Sequence, residues 1–431
     1  MTEIWGSYEW QDHAVPQEPL DDTERPEYGI PLTLRPVLDP RAEQRPIFDP
    51  ALKQHANAYR AGDPSFTDPR LQTAWYAARR RAMDEVLAAV ADSPWAPHLV
   101  LRGSVLLRGW FGEAAREPGD LDFVVAPRDW QIEEERTATM LAELARAAEQ
   151  RTTAGAPGVL FSAADAVSEP IWTYDRVPGC RLVLPWTAEG LPGGTVQLDF
   201  VFNERLPQAP ERTPVAALAE GPGCTLTAVT PALSLAWKLL WLLTDMYPQG
   251  KDLYDAVLLA ETTPLRYELL REVFLDAGGW WAAQPVTTEL LAQLRNRTEW
   301  EHFESEYPQI EADLEECTDR LIAALAPTFA GAPAPEERQR WWTAAWVTHY
   351  RARLETSDLA TLLRELAGDG AALPVVIVLV RAVLGHERHT LEEARDLVLA
   401  DPSWARAADR YEADPRRLAR QLAELAEPVD L

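Results

Sequence analysis

Two aspartates one residue apart are the clearest chemical signal in the sequence. They lie in DLDFVVA (120–126), whose alternating pattern predicts a β-strand. A period of two places Asp120 and Asp122 on one face of the strand and Leu121 and Phe123 on the other. Two carboxylates held so close raise each other's pKa unless a cation lies between them. The pair therefore predicts a divalent metal site, and Mg²⁺ is the ion that suits carboxylates shared with substrate phosphates.

A third aspartate follows on a later strand. In GTVQLDFVFN (194–203) the alternation places Asp199 on the same face as Gln197 and Val201, and it is the single acid of that strand. If the two strands are neighbours, three carboxylates meet on one side of the sheet. Two-metal chemistry at a phosphorus centre needs such an arrangement.

A small-residue turn precedes the aspartates. HLVLRGS (98–104) predicts a short strand that ends in a turn, and SVLLRGWFG (104–112) predicts a helix that begins there. Gly103 lets the backbone approach a ligand closely, and Ser104 lies at or near the helix cap and offers a hydroxyl. The first amides of the helix would point at a bound anion. The turn therefore predicts a phosphate-binding site beside the metal.

A lysine in an apolar helix is the next candidate. Only three of the 41 lysine and arginine residues are lysines, so a lysine in this chain is unusual. One of them, Lys238, lies in TPALSLAWKLLWLLTD (230–245), a predicted helix that is apolar nearly all round. A buried ammonium needs an anionic partner. Lys238 either extends its head to water or reaches the phosphates of a nucleotide.

Two further aspartates follow in a second predicted helix. GKDLYDAVLLAE (250–261) carries Asp252 and Asp255 near its start, where acids suit the helix dipole. Judged from this position alone, both aspartates could simply stabilise the start of the helix.

Composition limits the class of protein. The 431 residues carry a net charge of −27, which argues against tight non-specific binding of nucleic acid but leaves room for a local basic groove. The longest apolar run is too short for a membrane helix, and the start lacks the layout of a secretory signal. Three widely spaced cysteines suggest neither disulfides nor a zinc site. We expect a cytoplasmic protein with no membrane contact.

The pattern predicts an α+β fold: a mixed sheet with flanking helices, followed by a mainly α-helical C-terminal half. Residues 1–50 hold eight prolines and eleven acids and predict an extended arm or a partly disordered tail. Residues 51–222 form the predicted catalytic domain, and 223–326 a helical domain that completes the nucleotide site. Residues 327–431 form a C-terminal helical region, after a linker predicted at APTFAGAPAP (326–335).

The order glycine-serine, spacer, Asp-x-Asp on a strand and a later strand aspartate resembles the nucleotidyltransferase superfamily that includes polymerase beta. With TPALSLAWKLLWLL and KDLYDAVLL added, the sequence resembles the AbiEii/AbiGii family of type IV, or MenT-type, toxins. The matching positions are Gly103 and Ser104, the acidic pair, Lys238 and Asp252. The resemblance implies an Mg²⁺-dependent transfer of nucleotides from an NTP to an acceptor, which in characterised relatives is the 3′ end of tRNA, and a possible cognate antitoxin.

Three functions remain open at this stage. The first is a toxin-like or phage-defence enzyme that modifies RNA. In it Asp120, Asp122 and Asp199 hold Mg²⁺, Asp199 also helps to deprotonate the acceptor, Gly103 and Ser104 hold the β and γ phosphates, and Lys238, positioned by Asp252, neutralises them. The second keeps this chemistry but uses a small-molecule acceptor, such as an aminoglycoside, or a protein. The third is a non-catalytic NTP-binding module.

Overall fold

The computed structural model divides into two compact units. The first comprises Met1–Thr263 and Arg297–Cys317, and the second Pro264–Asn296 and Thr318–Leu431. The residues that the structure describes are 15, 21–155, 158–173, 177–245, 247–277, 285–330, 346–368 and 371–425.

The strands that the structure describes belong to the first unit. In chain order they are β1 (Ala42–Glu43), β2 (Pro46–Phe48), β3 (Tyr59–Ala61), β4 (Ser65–Phe66), β5 (Leu99–Arg102), β6 (Leu121–Val125), β7 (Leu160–Phe161), β8 (Val167–Thr173), β9 (Val177–Ala188), β10 (Leu191–Val201), β11 (Glu211–Val215) and β12 (Cys224–Ala228).

The α-helices alternate with the strands at first and then replace them. In chain order the principal ones are α1 (Pro69–Asp92), α2 (Ser104–Phe111), α3 (Glu135–Ala154), α4 (Pro231–Thr244), α5 (Gly250–Thr262), α6 (Tyr267–Ala277), α7 (Thr288–Ala292), α8 (Trp300–Glu306), α9 (Leu314–Ala324), α10 (Ala326–Ala330), α11 (Leu359–Gly368), α12 (Leu373–Leu384), α13 (Leu391–Ala400), α14 (Ala405–Ala413) and α15 (Pro415–Leu425).

An eight-stranded mixed sheet forms the centre of the first unit. Its strand order is β11-β12-β5-β6-β10-β9-β7, and β8 also pairs with β9. Strand β6 is antiparallel to β5 and parallel to β10, which in turn is antiparallel to β9. The two strands that carry the predicted acids are therefore direct neighbours. The α+β fold expected from the sequence is confirmed.

The apolar side of these strands explains why they pair. Leu121, Phe123, Leu198 and Phe200 are fully buried, and the rings of Phe123 and Phe200 stack with centroids 5.7 Å apart. Burial of such side chains supplies the main favourable free energy of this region. Because side chains alternate along a strand, the aspartates between these residues face the opposite side.

Helices α4 and α5 follow the sheet. Thr230 caps α4 with its hydroxyl, which accepts a hydrogen bond from the amide of Leu233 at 3.2 Å, as the Thr-Pro start predicts. The amide of Gly250, the first residue of α5, donates to the carbonyl of Glu299 at 3.2 Å. The segment that includes α8 is thus tied to the start of α5 within the first unit.

The segment 21–66 is bound to the sheet by side chains. Strands β1 and β4 pair with each other, as do β2 and β3. Glu169 of β8 accepts hydrogen bonds from the amides of Leu32 and Thr33 at 3.2 and 2.8 Å, and lies 3.0 Å from His55 Nε2. The arm predicted for residues 1–50 is therefore, over 21–50, a segment held against β8. Residues 1–14 and 16–20 lie outside the described residues.

Two local expectations differ from the structure. The helix predicted over 128–150 begins only at Glu135. The reason is tertiary, because Asn203 Nδ2 donates to the carbonyls of Arg128 and Trp130 at 2.7 and 3.1 Å and holds this backbone in a turn. The linker predicted at 326–335 is helical over Ala326–Ala330, and its remainder lies outside the described residues. The four-part division of the chain remains a prediction.

The described part of the second unit is helical. One of its apolar clusters gathers buried side chains from α11, α12 and α13, among them Leu366, Val376, Val380 and Val398. Within the described residues, none of the helices combines the length and apolarity needed to cross a membrane.

Candidate active site

Four charged side chains lie in one row across four adjacent strands of the sheet. The strand register pairs Arg102 of β5 with Asp122 of β6, Asp122 with Asp199 of β10, and Asp199 with Arg181 of β9. Side chains paired in register point to the same face. Two adjacent carboxylates, those of Asp122 and Asp199, therefore lie between the positively charged side chains of Arg102 and Arg181.

The predicted acidic cluster is formed. Carboxylate oxygens of Asp120, Asp122 and Asp199 all lie within 4.8 Å of one another, and this is the one group of three potential metal ligands among the described residues. Burial, followed by repulsion from Asp120, raises the pKa of Asp122 to about 7, while Arg102 opposes the rise. A cation between the carboxylates would relieve this repulsion.

These three side chains fit a hard divalent cation. Carboxylate oxygens are the ligands that Mg²⁺ prefers, and a set without histidine or cysteine does not favour zinc. Asp199 is partly engaged, because Arg181 donates from Nε to Oδ1 and from Nη2 to Oδ2, both at 2.8 Å. Oδ2 also accepts a hydrogen bond from Gln197 Nε2 at 3.2 Å, so Oδ1 is the oxygen of Asp199 that retains a second lone pair for a metal.

Gly103 has a structural role that its sequence context did not reveal. Its φ is 83° and its ψ −160°, a conformation that side chains disfavour. A Cβ at this position would lie 2.2 Å from Asp122 Oδ2. The sequence predicted that a ligand would approach the backbone of Gly103 closely. In the structure it is the carboxylate of Asp122 that lies close to this backbone.

Ser104 is the first residue of α2, next to this contact. Its side chain is almost fully buried, and its Oγ has no hydrogen-bond partner within the described structure. Buried hydroxyls normally find a partner, so this unpartnered one, which lines the same cavity as the three carboxylates, is a candidate contact for a ligand atom.

Lys238 is buried and paired with two aspartates. Its Nζ lies 2.6 Å from Asp252 Oδ1 and 2.9 Å from Asp255 Oδ2. Burial acts to lower the pKa of Lys238, but the two carboxylates outweigh it and the pKa is raised. The structure thus brings Asp252 to Lys238 as predicted and adds Asp255, which the sequence pattern placed only at a helix start.

A buried arginine completes the lysine cluster. Arg116 donates from Nη2 and Nε to the fully buried Asp255 at 3.0 to 3.2 Å, and from Nη1 to the Tyr307 hydroxyl at 3.1 Å. The loop before the acidic pair thereby fixes α5. Burial acts to raise the pKa of Asp255, yet Arg116 and Lys238 hold it below its usual value.

A second arginine connects the segment 21–66 with the acids. Arg181 Nη1 donates to Asp49 Oδ2 at 2.6 Å, while its other nitrogens bind Asp199. Burial raises the pKa of Asp199, and Arg181 opposes this. Sequence reasoning missed both Asp49 and Arg181, although an arginine inside the apolar strand GCRLVLPW was a usable signal.

A cavity of about 160 Å³ adjoins these residues, except for the fully buried Asp255. Its lining within the described structure includes six aspartates and six basic side chains, namely Arg60, Arg102, Arg116, Arg181, Lys238 and Lys251. A basic groove would favour RNA and an acidic bowl a cationic small molecule. The lining is charge-balanced and favours neither acceptor.

Comparison with known proteins adds a family. The family model described as "Nucleotidyl transferase AbiEii toxin, Type IV TA system" matches residues 85–339, more than half of the chain. All predicted site residues lie in that stretch, whereas Asp49 and Arg60 precede it.

Among solved structures, the chain is similar to MenT4, a nucleotidyltransferase toxin from Mycobacterium tuberculosis H37Rv. The TM-score is 0.44 and the identity 18%, over 66% of this chain and 92% of that one. No match was found among curated protein sequences.

Proposed function

This chain belongs to the AbiEii family of nucleotidyltransferase toxins, and from that membership we propose that it is a metal-dependent enzyme that moves a nucleotide from an NTP to an RNA acceptor, the 3′ end of tRNA. The observation that carries the proposal is the meeting of three carboxylates with an unpartnered serine hydroxyl at one cavity. Nucleotidyl transfer requires metal ligands and a hydrogen-bond donor for the phosphates at one place.

Asp120, Asp122 and Asp199 would hold the metal. When bound, Mg²⁺ supplies positive charge that makes the acceptor hydroxyl more acidic and stabilises the negative charge of the triphosphate. Burial and then repulsion from Asp120 raise the pKa of Asp122, and a cation bound between the carboxylates would offset both effects.

The reaction joins the acceptor oxygen to the α phosphorus of the NTP and releases pyrophosphate. The proton of the acceptor hydroxyl must go to a base, and we assign this role to Asp199, whose pKa is raised by its burial. Ser104 Oγ would donate a hydrogen bond to a phosphate oxygen, together with the first amides of α2.

Lys238 would act on the phosphates from its place beside Asp252. Its two aspartate partners keep the ammonium charged within an apolar helix and fix its position. A salt bridge at 2.6 Å holds the ammonium but also offsets its charge, so Asp252 serves as a positioning residue.

The first test is label transfer. Purified protein is incubated with Mg²⁺, each of four α-labelled NTPs and total bacterial tRNA, beside Asp122→Asn and the control Asp129→Asn, an exposed aspartate outside the cavity. We expect label on tRNA with the wild type and the control, and none with Asp122→Asn. Label that persists in Asp122→Asn would refute the assignment.

A different acceptor is the second candidate, and the net charge of −27 favours it. An acidic protein attracts cationic molecules such as aminoglycosides more readily than RNA. NTP binding without any label on tRNA, together with label on a cationic small molecule or a protein, would replace the RNA acceptor and keep the chemistry.

Family membership also suggests a partner and a setting. The family is described as part of a type IV toxin-antitoxin system, so we propose a cognate antitoxin that counteracts this enzyme. NTP and tRNA meet in the cytosol, which is where we place the reaction.

A further inference from the structure

Arg102 has a guanidinium without the partners that buried arginines normally have. The residue is 3% exposed, and its Nε and Nη1 are buried without a hydrogen-bond partner. A buried charge with open donors is costly unless an anion or an acceptor satisfies it. The position therefore suggests a partner that is not part of the chain.

The other arginine of the charged row shows the contrast. Arg181 and Arg102 flank the same two carboxylates, one on each side. Arg181 directs three nitrogens at Asp199 and Asp49. Arg102 forms no salt bridge within the described part of the chain, although Asp122 is its cross-strand neighbour. Two similar side chains in one row thus differ in whether the chain satisfies their N–H donors.

Two tryptophans hold Arg102 in place. Its Cζ lies 5.6 Å from the ring centroid of Trp237 and 5.4 Å from that of Trp241, and these rings stack on each other at 6.3 Å. Attraction between a guanidinium and aromatic rings orients the guanidinium without using its N–H donors. The donors therefore stay available.

The open donors lie beside the predicted phosphate position. Arg102 and Ser104 both line the cavity, separated in sequence only by Gly103, and the Ser104 hydroxyl is also unpartnered. Lys238, in contrast, is already held by two carboxylates. A phosphate oxyanion at this place would satisfy Arg102 and Ser104 together, and guanidinium groups recognise phosphate with paired hydrogen bonds.

We propose that Arg102 binds the triphosphate of the NTP and is a principal cation for that group, with Ser104 as its neighbour. The inference rests on the proposed function and adds to it a residue that the sequence pattern did not single out. Phosphate chemistry is shared by the triphosphate and by the backbone of an RNA acceptor. The observations favour the triphosphate, because the position adjoins the metal-binding carboxylates.

The test measures binding by calorimetry with three probes in the presence of Mg²⁺: an NTP, inorganic tripolyphosphate and the corresponding nucleoside. Arg102→Met is compared with the wild type and with Arg136→Met. Arg136 is a matched control, because it lies 4.0 Å from the ring centroid of Trp130 but has Glu134 as its salt-bridge partner and lies outside the cavity.

We expect Arg102→Met to weaken NTP and tripolyphosphate binding at least tenfold, to leave nucleoside binding unchanged, and to unfold at a urea concentration no lower than the wild type. Arg136→Met should bind all three probes like the wild type. Arg102→Lys is the second variant in case the first does not fold. It keeps the charge but loses the planar fork, and we expect a loss of threefold or more for the same two probes.

Other outcomes distinguish a failure of the proposed function from a failure of the role of Arg102. A wild type that binds neither NTP nor tripolyphosphate refutes the proposed function itself. A wild type that binds both, with Arg102 variants that bind them equally well, refutes only the role of Arg102. If an Arg102 variant binds NTP like the wild type but has a raised KM for tRNA, then Arg102 contacts a phosphate of the RNA acceptor. This result would overturn the proposal.

Discussion

Replacement of Gly103 by alanine tests how the turn and the acidic pair depend on each other. The new Cβ would lie 2.2 Å from Asp122 Oδ2 and 3.0 Å from its Cγ. These distances are far below a normal van der Waals contact, so the carboxylate must move. The backbone at φ 83° and ψ −160° is also disfavoured for any residue with a side chain.

Two costs add up in this variant. A side chain in such a backbone conformation costs about 1–3 kcal/mol, and insertion of an extra methyl group into a packed region costs a further ~1–3 kcal/mol. We therefore expect Gly103→Ala to lower the free energy of unfolding by about 2–6 kcal/mol. Label transfer should be lost as well, because Asp122 can no longer lie beside Asp120 and Asp199.

The assay is urea unfolding together with label transfer, and Gly109→Ala is the matched control. Gly109 lies in α2, six positions further along, and a Cβ there would meet nothing within 4 Å. Alanine in a helix is favoured over glycine by about 1 kcal/mol, so this variant should be slightly more stable than the wild type. Equal unfolding midpoints for the two variants, or full activity in Gly103→Ala, would show that the contact with Asp122 does not shape the site.

Two more predictions follow from the buried charges. Arg116→Met leaves Asp255, which is 0% exposed, with Lys238 as its remaining salt-bridge partner among the described residues, and should lower the free energy of unfolding by about 3–5 kcal/mol in urea titrations. Asp122→Asn should stabilise the metal-free protein at pH 8 relative to the wild type, because the pKa of Asp122 rises on folding from 3.8 to about 7. The folded wild type binds the extra proton between these values, so its stability falls as the pH rises through this window, and the advantage of the variant should grow by about 1–4 kcal/mol from pH 5 to pH 8.

Each of these two has a control. Arg108→Met removes an arginine whose carboxylate partner, Glu113, is 95% exposed, and such surface pairs contribute about 0–1 kcal/mol. A loss for Arg116→Met no larger than for Arg108→Met would contradict the importance of the buried pair. Mg²⁺ should raise the unfolding midpoint of the wild type but not that of Asp122→Asn, and an equal rise in both would argue against a metal at this carboxylate.

The sequence determined the chemical groups and their local placement. The alternation of DLDFVV alone puts Asp120 and Asp122 on one face, because a strand has a period of two. The apolar helix around Lys238 alone shows that its ammonium must either reach water or be paired with an anion. These conclusions depend only on residues close together in the chain, where periodicity is a reliable guide.

Tertiary structure decided which groups meet. The row of Arg102, Asp122, Asp199 and Arg181 exists only because four strands pair in one register, and a shift by a single residue would turn a side chain to the other face. Asp49 joins Arg181 across 132 positions of the chain.

Strand order and register depend on contacts summed over the whole sheet, so no short stretch of sequence encodes them. For this reason the acids that we propose as metal ligands could be singled out from the sequence, whereas their pairing with Arg102 and Arg181 became visible only in the folded protein.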